Sequence, residues 1–171
     1  IPTIQSRIGN TLYIHGSAAS RMLRALVKGI KACVTVTLLD GLVLARSAFH
    51  HSMNYRSVVM LGSLRVVVDE EEKRRALDAI VDHVVPGRSA DARPANDKEL
   101  KATSVLSMEI SEASAKIRTG PAGDDDEDYA LPIWAGVIPL SMEPGVPIPD
   151  DRLLEGVDTP DYVEDYRRPN N

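Results

Sequence analysis

Apolar residues along this chain follow two periods, and the switches between them mark out the elements. β-Branched or alternating runs read as strands at Thr11 to His15 (TLYIH), Lys31 to Leu39 (KACVTVTLL) and Tyr55 to Val68 (YRSVVMLGSLRVVV). Further strands are expected near Val105 to Ile110, Ala113 to Thr119 and, interrupted by proline, Leu131 to Leu140. Ile1 to Gln5 reads as the end of a strand that turns at Arg7-Ile8-Gly9-Asn10. Asp40-Gly41 is a two-residue hairpin signal, so Leu42 to Phe49 is expected to return antiparallel, and Gly62 is expected to bulge or bend its strand.

Helical spacing takes over at Ala18, Met22, Leu23, Leu26 and Val27, between a Ser17 N-cap and Gly29. It returns at Ala76, Leu77, Ile80, Val81 and Val84, behind an Asp69/Glu72 capping box and ahead of Pro86-Gly87. Asn96 with Glu99 repeats the box for a helix through about Thr103. Antiparallel strands with a few helices between them predict a mainly β domain, barrel-like, with helical covers. Gly120 to Tyr129 reads as an exposed acidic loop, and the Pro- and Asp-rich stretch 141–171 as an extended tail on a surface or a partner.

Composition narrows the function classes. The 171 residues, 43% hydrophobic and 26% charged, suit one globular domain with a core of its own. A net charge of −5 and 4% aromatic residues argue against nucleic-acid binding. No apolar run has the length of a membrane span, and there is no signal-peptide pattern. The single cysteine, Cys33, cannot close an internal disulfide, which points to a reducing cytoplasm, and its place in an apolar strand suggests a core thiol. The chain opens on Ile1 without an initiator Met, so part of the fold is expected to precede it.

Two stretches could carry chemistry. In His15-Gly16-Ser17-Ala18-Ala19-Ser20-Arg21 a strand runs through small residues into a helix start, with a guanidinium close by. Amide donors, hydroxyls and a cation at such a corner suit a phosphate, and the bland alternative is a Ser N-cap with Arg21 in solvent. The second stretch, Arg46 to Val59, gathers two His, two Arg and several hydroxyls between strands, as a ligand loop or a solvated one. His50 and His51 are adjacent and would face opposite ways, and no carboxylate–His spacing supports a metal, so none is expected. Lys116 and Arg118 share a strand face; Trp134 suits a core or dimer contact better than a flat ligand. Asp124 to Asp128 reads as solvated. There is no Ser-His-Asp order, Walker loop or dinucleotide glycine fingerprint.

The segments LYIHGSAASRMLRAL, VTVTLLDGLVLARSAFHHSMNYRSVVMLG, EASAKIRTG and LPIWAGVIPL, in that order, resemble the pyridoxamine 5'-phosphate oxidase-like split-barrel flavoproteins. The branch they resemble most is the flavin-nucleotide-binding one that includes the 5-nitroimidazole resistance proteins. The resemblance implies a split β-barrel of about six antiparallel strands over residues 1–140, with helices outside. It also implies a homodimer with FMN in a cleft shared by both subunits. Ser20 and Arg21 match the pair that binds the FMN phosphate; His15, Gly16 and Ser17 would lie along the ribityl chain. Pro2 and Thr3 resemble the segment passing the isoalloxazine ring, Tyr55, Arg56 and Ser57 the strand beside the phosphate, and Trp134 a tryptophan reaching the flavin. Met22 stands where the oxidase itself has a basic residue, and the oxidase's C-terminal Arg and His are not matched, which argues against pyridoxamine phosphate as substrate. The reading is therefore an FMN-dependent oxidoreductase, with a flavin-, haem- or deazaflavin-binding module without turnover as the alternative. His50 and His51 are the groups near the suspected pocket that titrate near neutrality, and the candidates for a haem ligand.

Overall fold

In a computed structural model, described over residues 1–167, the strands are β1 (Gln5–Ile8), β2 (Thr11–Ser17), β3 (Lys31–Leu44), β4 (Ser52–Ser63), β5 (Arg65–Val66), β6 (Thr103–Glu109), β7 (Glu112–Arg118) and β8 (Gly136–Pro139). The helices are α1 (Arg21–Leu26), α2 (Glu70–Val84), α3 (Arg88–Asp91), α4 (Asp97–Ala102) and α5 (Asp161–Glu164), with 3-10 turns at Ala48–His50 and Asp128–Ala130. The strands make two antiparallel four-stranded sheets, β1-β2-β6-β5 and β7-β4-β3-β8. The mainly β class with helices is as expected, and consistent with a split barrel. Among the described residues no helix is long and apolar enough to cross a membrane.

The chain divides into two compact units. The first comprises Ile1–Ala32, Leu61–Ser111 and the chain from Glu143 onward. Its opening hairpin is tighter than expected, with Arg7 and Ile8 still in β1 and Ile8 paired with Thr11. Gly9 takes the left-handed conformation the turn demands (φ 59°). β6 is buried on both faces at Val105, Leu106, Ser107 and Met108, as a central strand must be. Tyr13, Val67, Ala76 and Val105 form a core cluster against which Leu77 packs.

α2 begins as its sequence implies, with the Asp69 carboxylate accepting from the Glu72 amide at 2.7 Å. The box is not completed, because Glu72 turns to the Tyr13 hydroxyl (3.0 Å) and the Arg65 guanidinium (2.8 Å). Of the expected apolar face Ala76 and Ile80 are buried, while Val81 and Val84 remain exposed. α4 carries the complete Asn96/Glu99 box. α3 was not foreseen: Gly87 (φ 86°) redirects the chain, and Asp82 takes both the Ser89 amide (2.8 Å) and hydroxyl (2.7 Å). The tail is not wholly extended, since α5 lets Tyr162 donate to Asp91 at 2.6 Å. Residues 168–171 of the expected tail lie outside the described residues.

The second unit comprises Cys33–Met60 and Glu112–Met142. Here the expected hairpin at Asp40-Gly41 does not form; β3 runs straight through it for 14 residues. Asp40 is held by a two-pronged contact from Arg56, both bonds 3.0 Å, and its carbonyl accepts from the Leu140 amide. Gly41 has no positive φ, which a tight primed turn would need. Its missing side chain instead admits β8: a Cβ there would lie 3.1 Å from the Ile138 carbonyl oxygen and from Val137 Cγ1. Cys33, expected in the core, is exposed, because the register of β3 turns the odd positions outward.

Candidate functional site

In the first unit the corner after β2 is built by its own small residues. The Ser17 hydroxyl accepts from the Ala19 amide (3.1 Å) and the Ser17 carbonyl from the Ser20 amide (2.9 Å). The helix starts later than expected, so Ser20 rather than Ser17 is its N-cap and accepts from the Leu23 amide. The dipole of this six-residue helix is small, and the anion-binding character rests on side chains. Ser17 and Ser20 each accept one bond through oxygen and keep the O–H to donate. Arg24 ties the loop by donating to the Ala19 carbonyl, whereas exposed Arg21 has no partner among the described residues. Gly16 is needed where it stands, because a Cβ there would meet Leu23 Cδ1 at 3.1 Å.

His15 lies across from Val105 in the β2–β6 register and lines a cavity of about 410 Å³. Its Nδ1 is buried without a hydrogen-bond partner. Pro2 and Thr3 are exposed, ahead of β1.

In the second unit Arg56 is committed to Asp40, which its guanidinium holds below the usual carboxylate range. Ser57 meets Thr37 across the strands at 2.8 Å. Tyr55 is half-buried on β4. His50 and His51 diverge as expected: His50 Nε2 stands 3.4 Å from Asp125, and His51 Nδ1 3.0 Å from the Ser47 carbonyl. His50, Asp125 and Asp128 bring one potential ligand atom each within 4.8 Å of one another. Trp134 is 66% exposed in the single chain and lies over Gly136, so it is not a core residue. Arg118 leaves the expected pair with Lys116 to donate to Asn54 at 2.6 Å.

Asp124, expected in solvent, has a fully covered side chain. Burial alone would raise its carboxyl, but the Ser47 and Arg46 amides and the Arg46 guanidinium outweigh it and hold it below the usual range. Arg46 also sits 4.9 Å over the Tyr129 ring. Nothing in the run of acids singles out Asp124, whose partner Arg46 is 78 positions away.

Residues 1–117 match the pyridoxamine 5'-phosphate oxidase family. The chain belongs to the pyridoxamine 5'-phosphate oxidase-like family. This member of the oxidase family is similar to a flavocytochrome from Azotobacter vinelandii, at 46% identity over 98% of this chain and 78% of that one (TM-score 0.91). It is also similar to the FAD and haem binding protein from Mycobacterium smegmatis, at 42% identity over 95% of this chain and 80% of that one (TM-score 0.90). A protein from Bacteroides thetaiotaomicron assigned to 5-nitroimidazole antibiotic resistance shares the fold, at 24% identity over 67% of this chain and 66% of that one (TM-score 0.55). No curated protein matches this oxidase-family chain significantly.

Proposed function

We propose that the chain is a flavin-nucleotide-binding oxidoreductase that grips the flavin's phosphoryl group at the Ser17–Arg21 corner and works as a homodimer with flavin at the subunit interface. The observation that carries this reading is Arg21. It is exposed and unpaired among the described residues, at a corner whose two hydroxyls still have protons to donate. Arg21 and those hydroxyls would hold the anion, and Gly16 keeps the strand end narrow beside it. When bound, the flavin supplies hydride or electron transfer, and the protein supplies grip and orientation.

The grip suits FMN, or equally the FMN half of FAD, because both present a phosphoryl group at the same end of the ribityl chain. The family supports flavin, and the relative at 42% identity names FAD. Purified protein is expected to show flavin absorption, and the mass of the nucleotide released on denaturation separates FMN from FAD. Arg21→Ala removes a charge-assisted bond of about 1.5–3 kcal/mol, or roughly ten- to a hundredfold in flavin affinity. Arg75→Ala, which breaks only an exposed pair with Glu71, should leave retention unchanged. Equal retention by both variants ends the phosphate assignment.

Haem is the second cofactor of this reading. Two relatives above 40% identity are described in terms that include it, one as a flavocytochrome and one as an FAD and haem binding protein. The second cofactor is supported on this chain by an imidazole with an orphaned buried nitrogen beside a cavity.

A further inference from the structure

We infer that the cavity between β2 and the α2–α4 helices is the seat of the haem, with His15 Nε2 as its axial ligand. The inference rests on the flavin-and-haem reading above and names the residues that would hold the second group.

The four histidines differ in what their rings do. His50 leans on Asp125, His51 on the Ser47 carbonyl, and His83 is exposed on α2. His15 alone among them has a buried, unpartnered ring nitrogen, Nδ1. Nε2 likewise has no hydrogen-bond partner among the described residues, and the residue lines the cavity, so neither ring nitrogen is engaged by the protein. An imidazole whose ring nitrogens no protein group engages is a donor that haem iron takes.

The walls agree with that occupant. Leu77, Ile80 and Val81 from α2 and Pro94 from the α3–α4 link give the lining an apolar part suited to a macrocycle face, while Asp78, Ser89, Glu99 and Thr103 make the rest polar. Arg93 also lines it, 66% exposed at the side chain, where a cation can meet carboxylates that remain in water. It now donates two bonds to Glu99, at 2.7 and 3.1 Å, and the guanidinium has further N–H groups for a propionate. The volume of about 410 Å³ falls in the cofactor range of roughly 300–1,000 Å³. His15 also stands two residues before Ser17, so an iron there would lie near the proposed flavin phosphate corner within the same unit.

The test is titration of the full-length purified protein, stripped of haem, with haemin. Soret absorption and the electron paramagnetic resonance of the ferric iron are recorded, with flavin absorption as a separate reading. Wild type should bind one equivalent. His15→Ala should bind at least tenfold more weakly, with restoration of the wild-type spectrum by added imidazole. His15→Met should keep a band but shift it and change the iron signal, as a swapped axial ligand does and a merely structural residue does not. Val81→Trp, which puts bulk into the cavity from α2, should block binding while flavin is retained; circular dichroism checks that each variant is folded.

The assignment is overturned if wild type gives no Soret band with haemin. It is equally overturned if His15→Ala and Val81→Trp, folded, bind haemin with the wild-type spectrum and affinity, or if His50→Ala alone abolishes the band. Arg21→Ala should lose flavin and keep the haem titration, so failure of the flavin reading and failure of this one give different records.

Discussion

Asp124 accepts from the Arg46 amide at 2.9 Å, from the Ser47 amide at 3.1 Å and from the Arg46 guanidinium at 3.2 Å. Those bonds favour the ionised form, so the folded carboxyl titrates below its unfolded value. A depressed carboxyl contributes stability that is full above the unfolded value and is lost as pH falls through the folded one. Wild type should therefore melt above Asp124→Asn at neutral pH by several degrees, and the gap should close as pH falls below about 4. A gap that stays constant from neutral to acid pH would show that the charge is not what the loop uses. The sequence offered five consecutive acids and no way to tell which one turns inward, because the choice is made by the amides of Arg46 and Ser47, just past the end of β3 and 78 and 77 positions away. The corner before Arg21 could be read as a turn into a helix for the opposite reason: it is made by residues within a few positions.

Elements were legible where their determinants are local. Both helix starts with Asx caps lie where the sequence put them, since a cap needs only the amide three residues on. Asp69→Ala should cost about 1 kcal/mol in unfolding free energy, measured by urea denaturation. A loss nearer zero would mean that the helix start is held by other contacts. The hairpin at Asp40-Gly41 failed because its determinants are distant: Arg56 takes the carboxylate and β8 lies against the glycine. Gly62 shows the same dependence. It reads as a bulge, yet a Cβ there would come within 2.8 Å of Met108 Cγ and Sδ, so the glycine is room for a neighbour. Met108 is 1% exposed and has little space to yield. Gly62→Ala should then destabilise by about 1–3 kcal/mol, as overpacking does, and a neutral result would show that Met108 can move aside.

At the scale of the molecule, one sheet face in the second unit carries exposed apolar side chains. Alternation puts Cys33, Thr35, Thr37 and Leu39 on one side of β3. The contact between Thr37 and Ser57 places Met53 on that side too, and the bond from Arg118 to Asn54 turns Ile117 toward it. None of these seven side chains is charged; Leu39, Met53 and Ile117 are 45%, 50% and 65% exposed. An uncharged patch of this kind is what a subunit interface covers, and the proposed homodimer gives it an occupant. A glutamate at position 117 would have to be buried unpaired in that interface. Ile117→Glu is therefore expected to weaken the dimer at least about a hundredfold, roughly 3 kcal/mol, by sedimentation equilibrium. Cys33, exposed in the single chain, supplies an independent reading, because the proposed dimer would cover it. It should react slowly with a thiol reagent in wild type and fast in Ile117→Glu. If wild type sediments as a monomer at micromolar concentration and Cys33 reacts as a free thiol, this face is not where two copies meet.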